Sequence, residues 1–190
     1  MKPEEGDKFM ENRTQQDSPK IYVACLAAYN AGLLHGEWIN ANQEPQEIQA
    51  NIQSMLERSP EPCAEEWAVH DYEGFGFIAL SEWPDIERVS TIARLIVAHG
   101  EPFLLWYQSQ DGHNCDCMEL ENLFLEQWQG AFESETDFAY NLLEETGQLS
   151  EIPTWARSYF DYESYARSLN IGGDFSFVRH NCQTYVFSNF

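Results

Sequence analysis

The feature that most constrains this chain is an extreme excess of acidic residues in a sequence that is apolar enough to fold. It has 32 Asp and Glu residues against 10 Lys and Arg, which gives a formal net charge of -22. Apolar residues make up 43% of the 190 positions, so the composition is that of a folded protein with a core rather than a disordered chain. Because charged side chains are rarely fully buried, the folded surface must be strongly negative.

The sign of this charge limits the partners that the protein can bind. Affinity for nucleic acid comes largely from Lys and Arg neutralising phosphates, so direct binding to DNA or RNA is not expected. Binding to an anionic membrane surface is not expected either, and no apolar run approaches the roughly 20 residues that span a bilayer. A basic protein is the favoured partner, although acidity alone is also typical of proteins that are merely soluble or adapted to salt.

The cysteines and the start of the chain indicate a cytoplasmic protein. Cys25, Cys63, Cys115, Cys117 and Cys182 are odd in number and do not resemble a disulfide framework. The first 20 residues are polar and lack the apolar segment of a signal peptide. A reducing cytoplasm is therefore the expected location.

Apolar spacing and turn residues predict a mixed α+β chain. Residues 21–28 predict a buried strand, residues 37–41 can return as a second strand, and residues 174–188 predict a hairpin near the end of the sequence. Amphipathic helices are predicted at residues 45–58, 85–99, 120–128, 134–147 and 153–169. Asp161 is expected to divide the last of these into two helices, and Ser134 is expected to cap the helix that it precedes.

The acidic residues are interleaved with the apolar residues of the predicted helices and do not form a single acidic tail. Twelve acidic residues and one basic residue lie between Ile21 and Glu87, and thirteen acidic residues and one basic residue lie between Asp111 and Glu163. Folded helices must place these carboxylates on their outer faces, which predicts a rigid charged array. DNA carries one negative charge per roughly 1.7 Å of its axis, so 22 excess charges correspond to roughly 37 Å of duplex.

One cluster with the composition of an acid–base or metal site surrounds His70. Asp71 follows it directly, and Glu65, Glu66 and Glu73 lie within five residues. A turn that carries an exposed or structurally bonded histidine has the same composition, and this interpretation is favoured.

A second cluster with metal-binding residue types joins His113, Cys115 and Cys117. The C-x-C spacing is not that of a zinc knuckle, and only His180 and Cys182 could complete a site. No phosphate loop, dinucleotide motif or nucleophile elbow occurs in the sequence. The sequence therefore predicts a protein that is not an enzyme, with no catalytic residue, cofactor or metal.

Several blocks of the sequence together resemble the ArdA antirestriction proteins. They are IYVACLAAYNAGLLHGEWINA from Ile21, EEWAVHDYEGFG from Glu65, QGAF and SETDFAYNLLEETG from Gln129, and YFDYESYARSL with GGDF from Tyr159. The similarity runs from Ile21 to about Phe187. LSEIPTWARSYFDY, which begins at Leu149, is similar to the family's antirestriction motif.

The resemblance implies an antirestriction protein that imitates bent B-form DNA and occupies the DNA-binding core of type I restriction–modification enzymes. It implies an elongated homodimer that protects incoming plasmids or transposons. Each chain would have three small domains after a flexible extension at residues 1–20. These are a β-containing N-terminal α+β domain (residues 21–83), a helical central domain (84–130) and an α+β C-terminal domain (131–190). The extension and the Cys-containing loop at residues 109–118 depart from the family pattern.

Two sets of residues are predicted to carry this function. The predicted acidic surface, whose carboxylates would stand in for phosphates, consists of Asp71, Glu73, Glu82, Asp85, Glu87, Glu119, Glu121, Glu126, Glu133, Glu135, Asp137, Glu144, Glu145, Glu151, Asp161 and Glu163. The motif residues, for which packing or dimer contacts are favoured over contact with the enzyme, are Leu149, Ile152, Pro153, Trp155, Tyr159, Phe160 and Tyr162. The alternative function is an acidic adaptor or chaperone-like module that binds a basic protein without imitating DNA.

Overall fold

The structure, a computed structural model, describes residues 18–109 and 115–189. This part of the chain is mixed α+β, with nine helices and two three-stranded antiparallel sheets, so the predicted α+β class is confirmed. It forms two compact units, the first ending at Gly100 and the second beginning at Glu101. The division into three domains stays a prediction, and most of the predicted extension, residues 1–17, lies outside the described residues.

The first unit combines one sheet with two long helices. Its elements are β1 (Lys20–Cys25), α1 (Leu26–Asn30), β2 (Gly36–Asn40), α2 (Pro45–Glu57), β3 (Trp67–Glu73) and α3 (Ile86–His99). The strand order is β2-β1-β3. Ile21, Val23 and Ile39 are buried on one side of the sheet, and α2 contacts both β1 and β2. Because successive side chains of a strand point to opposite faces of the sheet, Tyr22 and Trp38 lie on the other side of β1 and β2.

Local signals fix the starts of both long helices in the first unit. Glu44 and Glu47 form a capping box at the start of α2, and Pro45 occupies its first turn. The Asp85 carboxylate accepts a hydrogen bond from the Glu87 N–H at 3.0 Å and caps α3. The predicted helices at residues 45–58 and 85–99 are confirmed.

Gly36 is required at the start of β2 because two groups of β1 lie against it. A Cβ at this position would lie 2.6 Å from the Val23 carbonyl oxygen and 2.7 Å from the Tyr22 hydroxyl. We expect Gly36→Ala to lower the free energy of unfolding by about 1–3 kcal/mol, since the ring or the strand must move. Urea denaturation measures this. Gly172→Ala, whose nearest contact would be 3.5 Å away, is the control and should leave stability unchanged or slightly raised. Equal stability of both variants would contradict the prediction.

The second unit surrounds the other sheet with helices. Its elements are α4 (Glu101–Ser109), α5 (Leu120–Gln127), β4 (Trp128–Phe132), α6 (Glu135–Glu145), α7 (Gln148–Glu151), α8 (Thr154–Arg157), α9 (Tyr162–Gly172), β5 (Phe175–His180) and β6 (Gln183–Ser188). The strand order is β4-β6-β5. The predicted hairpin is β5–β6, and Asp161 divides the predicted C-terminal helix as expected.

Aromatic packing holds the second unit together around α6. Phe138 is 3% exposed, and its ring lies 5.2 Å from Phe132, 5.0 Å from Phe175 and 5.6 Å from Phe177. These three rings come from β4 and β5, so one helix residue joins both outer strands of the sheet.

In the described parts of the chain, no helix has the length and apolar content needed to cross a membrane.

Candidate partner-binding surface

The structure places every residue of the predicted acidic surface in contact with solvent. All sixteen side chains are exposed, on both units. In α6, Glu135, Asp137, Glu144 and Glu145 are exposed while Phe138 and the residues around it form the core. Helical spacing thus separates the carboxylates from the core, and ordered backbone carries the charge.

The basic residues of each unit are too few to neutralise its acids. The described part of the first unit has twelve acidic and four basic residues, and that of the second has fourteen and three. Lys20 pairs with Glu73 at 2.9 Å, and Arg167 approaches Glu163 at 3.9 Å. Both units therefore keep a large negative charge, which favours a basic partner.

Three carboxylates of the surface also accept backbone hydrogen bonds near the starts of helices. Asp85 caps α3, and Asp137 accepts a hydrogen bond from the Glu133 N–H at 3.4 Å beside the Ser134 cap of α6. Asp161 caps α9, where it accepts from the Ser164 N–H at 2.9 Å and from the Ser164 hydroxyl at 2.7 Å. These side chains are held in fixed orientations by the backbone that they cap.

The bonds to Asp161 predict a pH-dependent contribution to stability. The Ser164 N–H, then its hydroxyl and the Arg167 charge, hold the pKa of Asp161 below the ordinary value of an aspartate. A lowered folded pKa stabilises the protein above the unfolded pKa, and this contribution is lost as the pH falls through the folded value. We expect Asp161→Asn, which keeps a capping side chain, to unfold more easily than wild type at pH 7. Thermal unfolding should show this difference shrinking below about pH 4. A difference that stays constant from pH 7 to pH 3 would contradict the prediction.

The motif segment forms two short helices, α7 and α8, followed by the cap of α9. Leu149 is buried, whereas Trp155 is 75% exposed and Tyr159 is 83% exposed. Ile152, Phe160 and Tyr162 are partly buried, and Pro153 is exposed. The side chains of Trp155 and Tyr159 therefore face solvent and are not part of the buried core.

Internal hydrogen bonds define the shape of the motif segment. The Arg157 Nε donates to the Ile152 carbonyl oxygen at 3.1 Å, and the Tyr162 hydroxyl donates to the Arg157 carbonyl oxygen at 3.2 Å. The Phe160 ring lies 4.8 Å from that of Tyr162. These contacts hold the backbone that carries Trp155 and Tyr159, so the two side chains project from a defined structure.

Glu101 is a functional-looking carboxylate that the sequence analysis did not single out, and its role is structural. It is partly buried and accepts hydrogen bonds from the Tyr185 hydroxyl at 2.6 Å and from the Asn181 side chain at 3.0 Å. His180 Nε2 lies 2.8 Å from the same carboxylate. Burial raises the pKa of Tyr185 to about 12, and the hydrogen bond from its hydroxyl to Glu101 is the second cause. Glu101 thus anchors the start of α4 to the β5–β6 hairpin.

The clusters that could have suggested an enzyme do not form a metal site among residues 18–109 and 115–189. No group of three His, Cys, Asp or Glu side chains in this part of the chain could hold a metal ion. His70 is exposed, and its ring contacts that of Tyr29 at 5.0 Å. Cys115 and Cys117 are partly buried, whereas Cys182 is exposed. His113 lies outside the described residues.

The described residues form an acidic α+β protein with exposed carboxylates on both units. The model of the antirestriction protein (ArdA) family matches residues 21–184, which is most of the sequence. The chain therefore belongs to the ArdA antirestriction protein family. No curated protein matches the sequence.

Proposed function

We propose that this protein inhibits type I restriction–modification enzymes by imitating DNA and occupying their DNA-binding groove. The single observation that supports this most is the exposure of all sixteen carboxylates of the predicted acidic surface on a fold with a buried core. Membership of the antirestriction family supports the class of target. The protein would act in the cytoplasm, where an incoming unmodified plasmid or transposon meets the restriction enzyme.

Charge placement explains how a protein could compete with DNA. A groove that binds duplex presents Lys and Arg to phosphates, and carboxylates on an ordered surface can take the same partners. Each exposed ion pair contributes only about 0–1 kcal/mol. Affinity must therefore be distributed over many carboxylates, and no single one is expected to be decisive. We propose that each chain has an elongated arrangement of three small domains. This arrangement would spread the carboxylates along a path like that of the phosphates of a duplex.

We further propose that the motif segment forms the homodimer contact through Trp155 and Tyr159. Both side chains are large, exposed and carried by hydrogen-bonded backbone. Aromatic residues of this kind are enriched among the residues that dominate the affinity of protein interfaces. Two chains would double the length of duplex that the protein can imitate.

This proposal predicts that removing the two aromatic side chains weakens dimerisation. We expect Trp155→Ser combined with Tyr159→Ser to raise the dimer dissociation constant at least about thirtyfold, the factor for losing about 2 kcal/mol. Sedimentation equilibrium measures it. Trp83→Ser is the control, because Trp83 is 67% exposed but belongs to the first unit. A wild-type protein that stays monomeric, or a double variant that dimerises like wild type, would contradict the proposed contact.

Cleavage of unmodified DNA by a type I restriction enzyme tests the proposed function. We expect purified protein to prevent cleavage when about one dimer is present per enzyme. DNA that already carries the enzyme's modification serves as the control for nuclease contamination. Undiminished cleavage in the presence of a large excess of protein would overturn the proposal and favour an acidic adaptor or chaperone-like module.

A further inference from the structure

The outer side of the first unit's sheet carries two aromatic residues among charged ones. We call this set the open sheet face: Lys20, Tyr22, Trp38, Asp71 and Glu73. Cross-strand register places Tyr22 beside both Trp38 and Asp71, and Lys20 beside Glu73. Trp38 is 40% exposed, and both carboxylates are exposed. The set is thus a surface that solvent reaches, unlike the side of the sheet that α2 covers.

A cation already occupies this face. The Lys20 Nζ lies 5.2 Å from the centroid of the Trp38 ring and 2.9 Å from the Glu73 carboxylate. The Tyr22 ring packs at 5.5 Å from Trp38 and supports it from the next strand. A positive charge between an aromatic ring and a carboxylate is stabilised by both. The geometry therefore identifies which chemical group the face accepts.

We propose that the open sheet face is a binding site for an arginine side chain of a basic protein partner, and that Lys20 fills the site until the partner displaces it. Its identification with an arginine of a restriction enzyme's DNA-binding groove rests on the proposed function. Arginine fits better than lysine because its planar guanidinium stacks on an aromatic ring and bonds a carboxylate with two N–H groups. Asp71 and Glu73 supply the complementary charge.

Displacement of Lys20 costs little. Its side chain is 37% exposed and that of Glu73 is 58% exposed, and solvent-exposed ion pairs of this kind contribute little to stability. The released ammonium returns to water at the start of β1. Lys20 therefore competes with the partner's arginine for Trp38 and Glu73. Removal of the Lys20 side chain should strengthen the binding of an external arginine.

The indole N–H signals of the six tryptophans report on this site directly. We expect titration with the tripeptide Gly-Arg-Gly to shift the Trp38 signal, assigned with Trp38→Phe, more than the signal of Trp83. Trp83 is also exposed and serves as the internal reference. Gly-Lys-Gly should produce a smaller shift. A Trp38 signal that moves no more than that of Trp83 would overturn the proposal.

A matched pair of variants separates this site from a general effect of charge. Lys20→Gln should tighten the binding of Gly-Arg-Gly at Trp38 about two- to fivefold, the factor that an exposed cation–π contact contributes. Arg58→Gln changes the net charge equally but removes a cation paired with Glu37 at 2.6 Å, and it should leave binding at Trp38 unchanged. If both variants changed the affinity for Gly-Arg-Gly equally, the proposal that Lys20 competes for the site would be overturned.

Restriction assays distinguish failure of this inference from failure of the proposed function. Lys20→Gln should inhibit a type I enzyme more strongly than wild type, and Trp38→Phe with Lys20→Gln should lose part of the gain. If wild type inhibits but the Lys20 and Trp38 variants behave identically to it in every assay, the inference is wrong and the proposed function stands. If arginine binds at Trp38 but wild type does not inhibit, the proposed function is wrong and the binding site stands.

Discussion

Replacing Glu144, Glu145 and Glu151 together by glutamine is expected to weaken inhibition of a type I restriction enzyme by about tenfold. All three side chains are exposed on α6 and α7, in the half of the chain where fourteen described acids face three basic residues. If each carboxylate contributes about 0.5 kcal/mol, their loss removes about 1.5 kcal/mol, which corresponds to a tenfold change in affinity. Titration of cleavage against protein concentration measures the effect.

The matched control for this variant removes the same charge elsewhere. Glu57, Glu65 and Glu66 are exposed but do not belong to the predicted acidic surface. Their replacement by glutamine should weaken inhibition less than about threefold, because only long-range attraction is lost. Equal weakening by both triple variants would mean that net charge, not its placement, determines binding. Complete loss from one single replacement would contradict a distributed array.

Replacing Phe138 by alanine is expected to lower the free energy of unfolding of the second unit by about 3–5 kcal/mol. The ring is almost fully buried and contacts Phe132, Phe175 and Phe177 at 5.0 to 5.6 Å. Its loss leaves a cavity between α6 and the sheet. Since native domains are stable by about 5–15 kcal/mol, this change removes a large part of the scaffold's stability.

Urea denaturation followed by circular dichroism tests the Phe138 prediction. Ile171→Ala is the control on α9, because Ile171 is 80% exposed and its truncation should cost less than about 0.5 kcal/mol. The Phe138 variant should also inhibit restriction less than wild type at temperatures where the second unit is unfolded, although every carboxylate is retained. Full inhibition by the unfolded variant would show that an ordered array is not needed.

Elements with local signals could be predicted from the sequence, and elements that depend on distant partners could not. Pro45, Asp85 and Ser134 made the starts of three helices predictable, whereas the capping role of Glu44 was not predicted. Strand β4 was missed because Trp128 continues the apolar spacing of the preceding helix. Its strand conformation depends on pairing with β6, in which Trp128 lies opposite Phe187. No helix was predicted between residues 99 and 120, although the segment from Pro102 to Tyr107 lies within helix α4.

The same distinction applies to the candidate site. Exposure of the acidic residues followed from the cost of burying unpaired charge, which depends on residue type alone. The role of Glu101 was not predictable, because its donors Asn181 and Tyr185 lie about 80 residues away. Trp155 and Tyr159 share helical spacing with later apolar residues, but the helix is interrupted and Asp161 begins a new one. Spacing across that interruption does not define one buried face.

Competition with duplex DNA tests the central claim most directly. A labelled sample of this protein is bound to a type I restriction enzyme, and unmodified duplex of increasing concentration is added. Imitation of DNA predicts that a duplex as long as the enzyme's binding groove displaces the protein completely. The apparent dissociation constant of the protein for the enzyme should rise in proportion to the concentration of free DNA. A stable complex that holds enzyme, DNA and this protein together would contradict it.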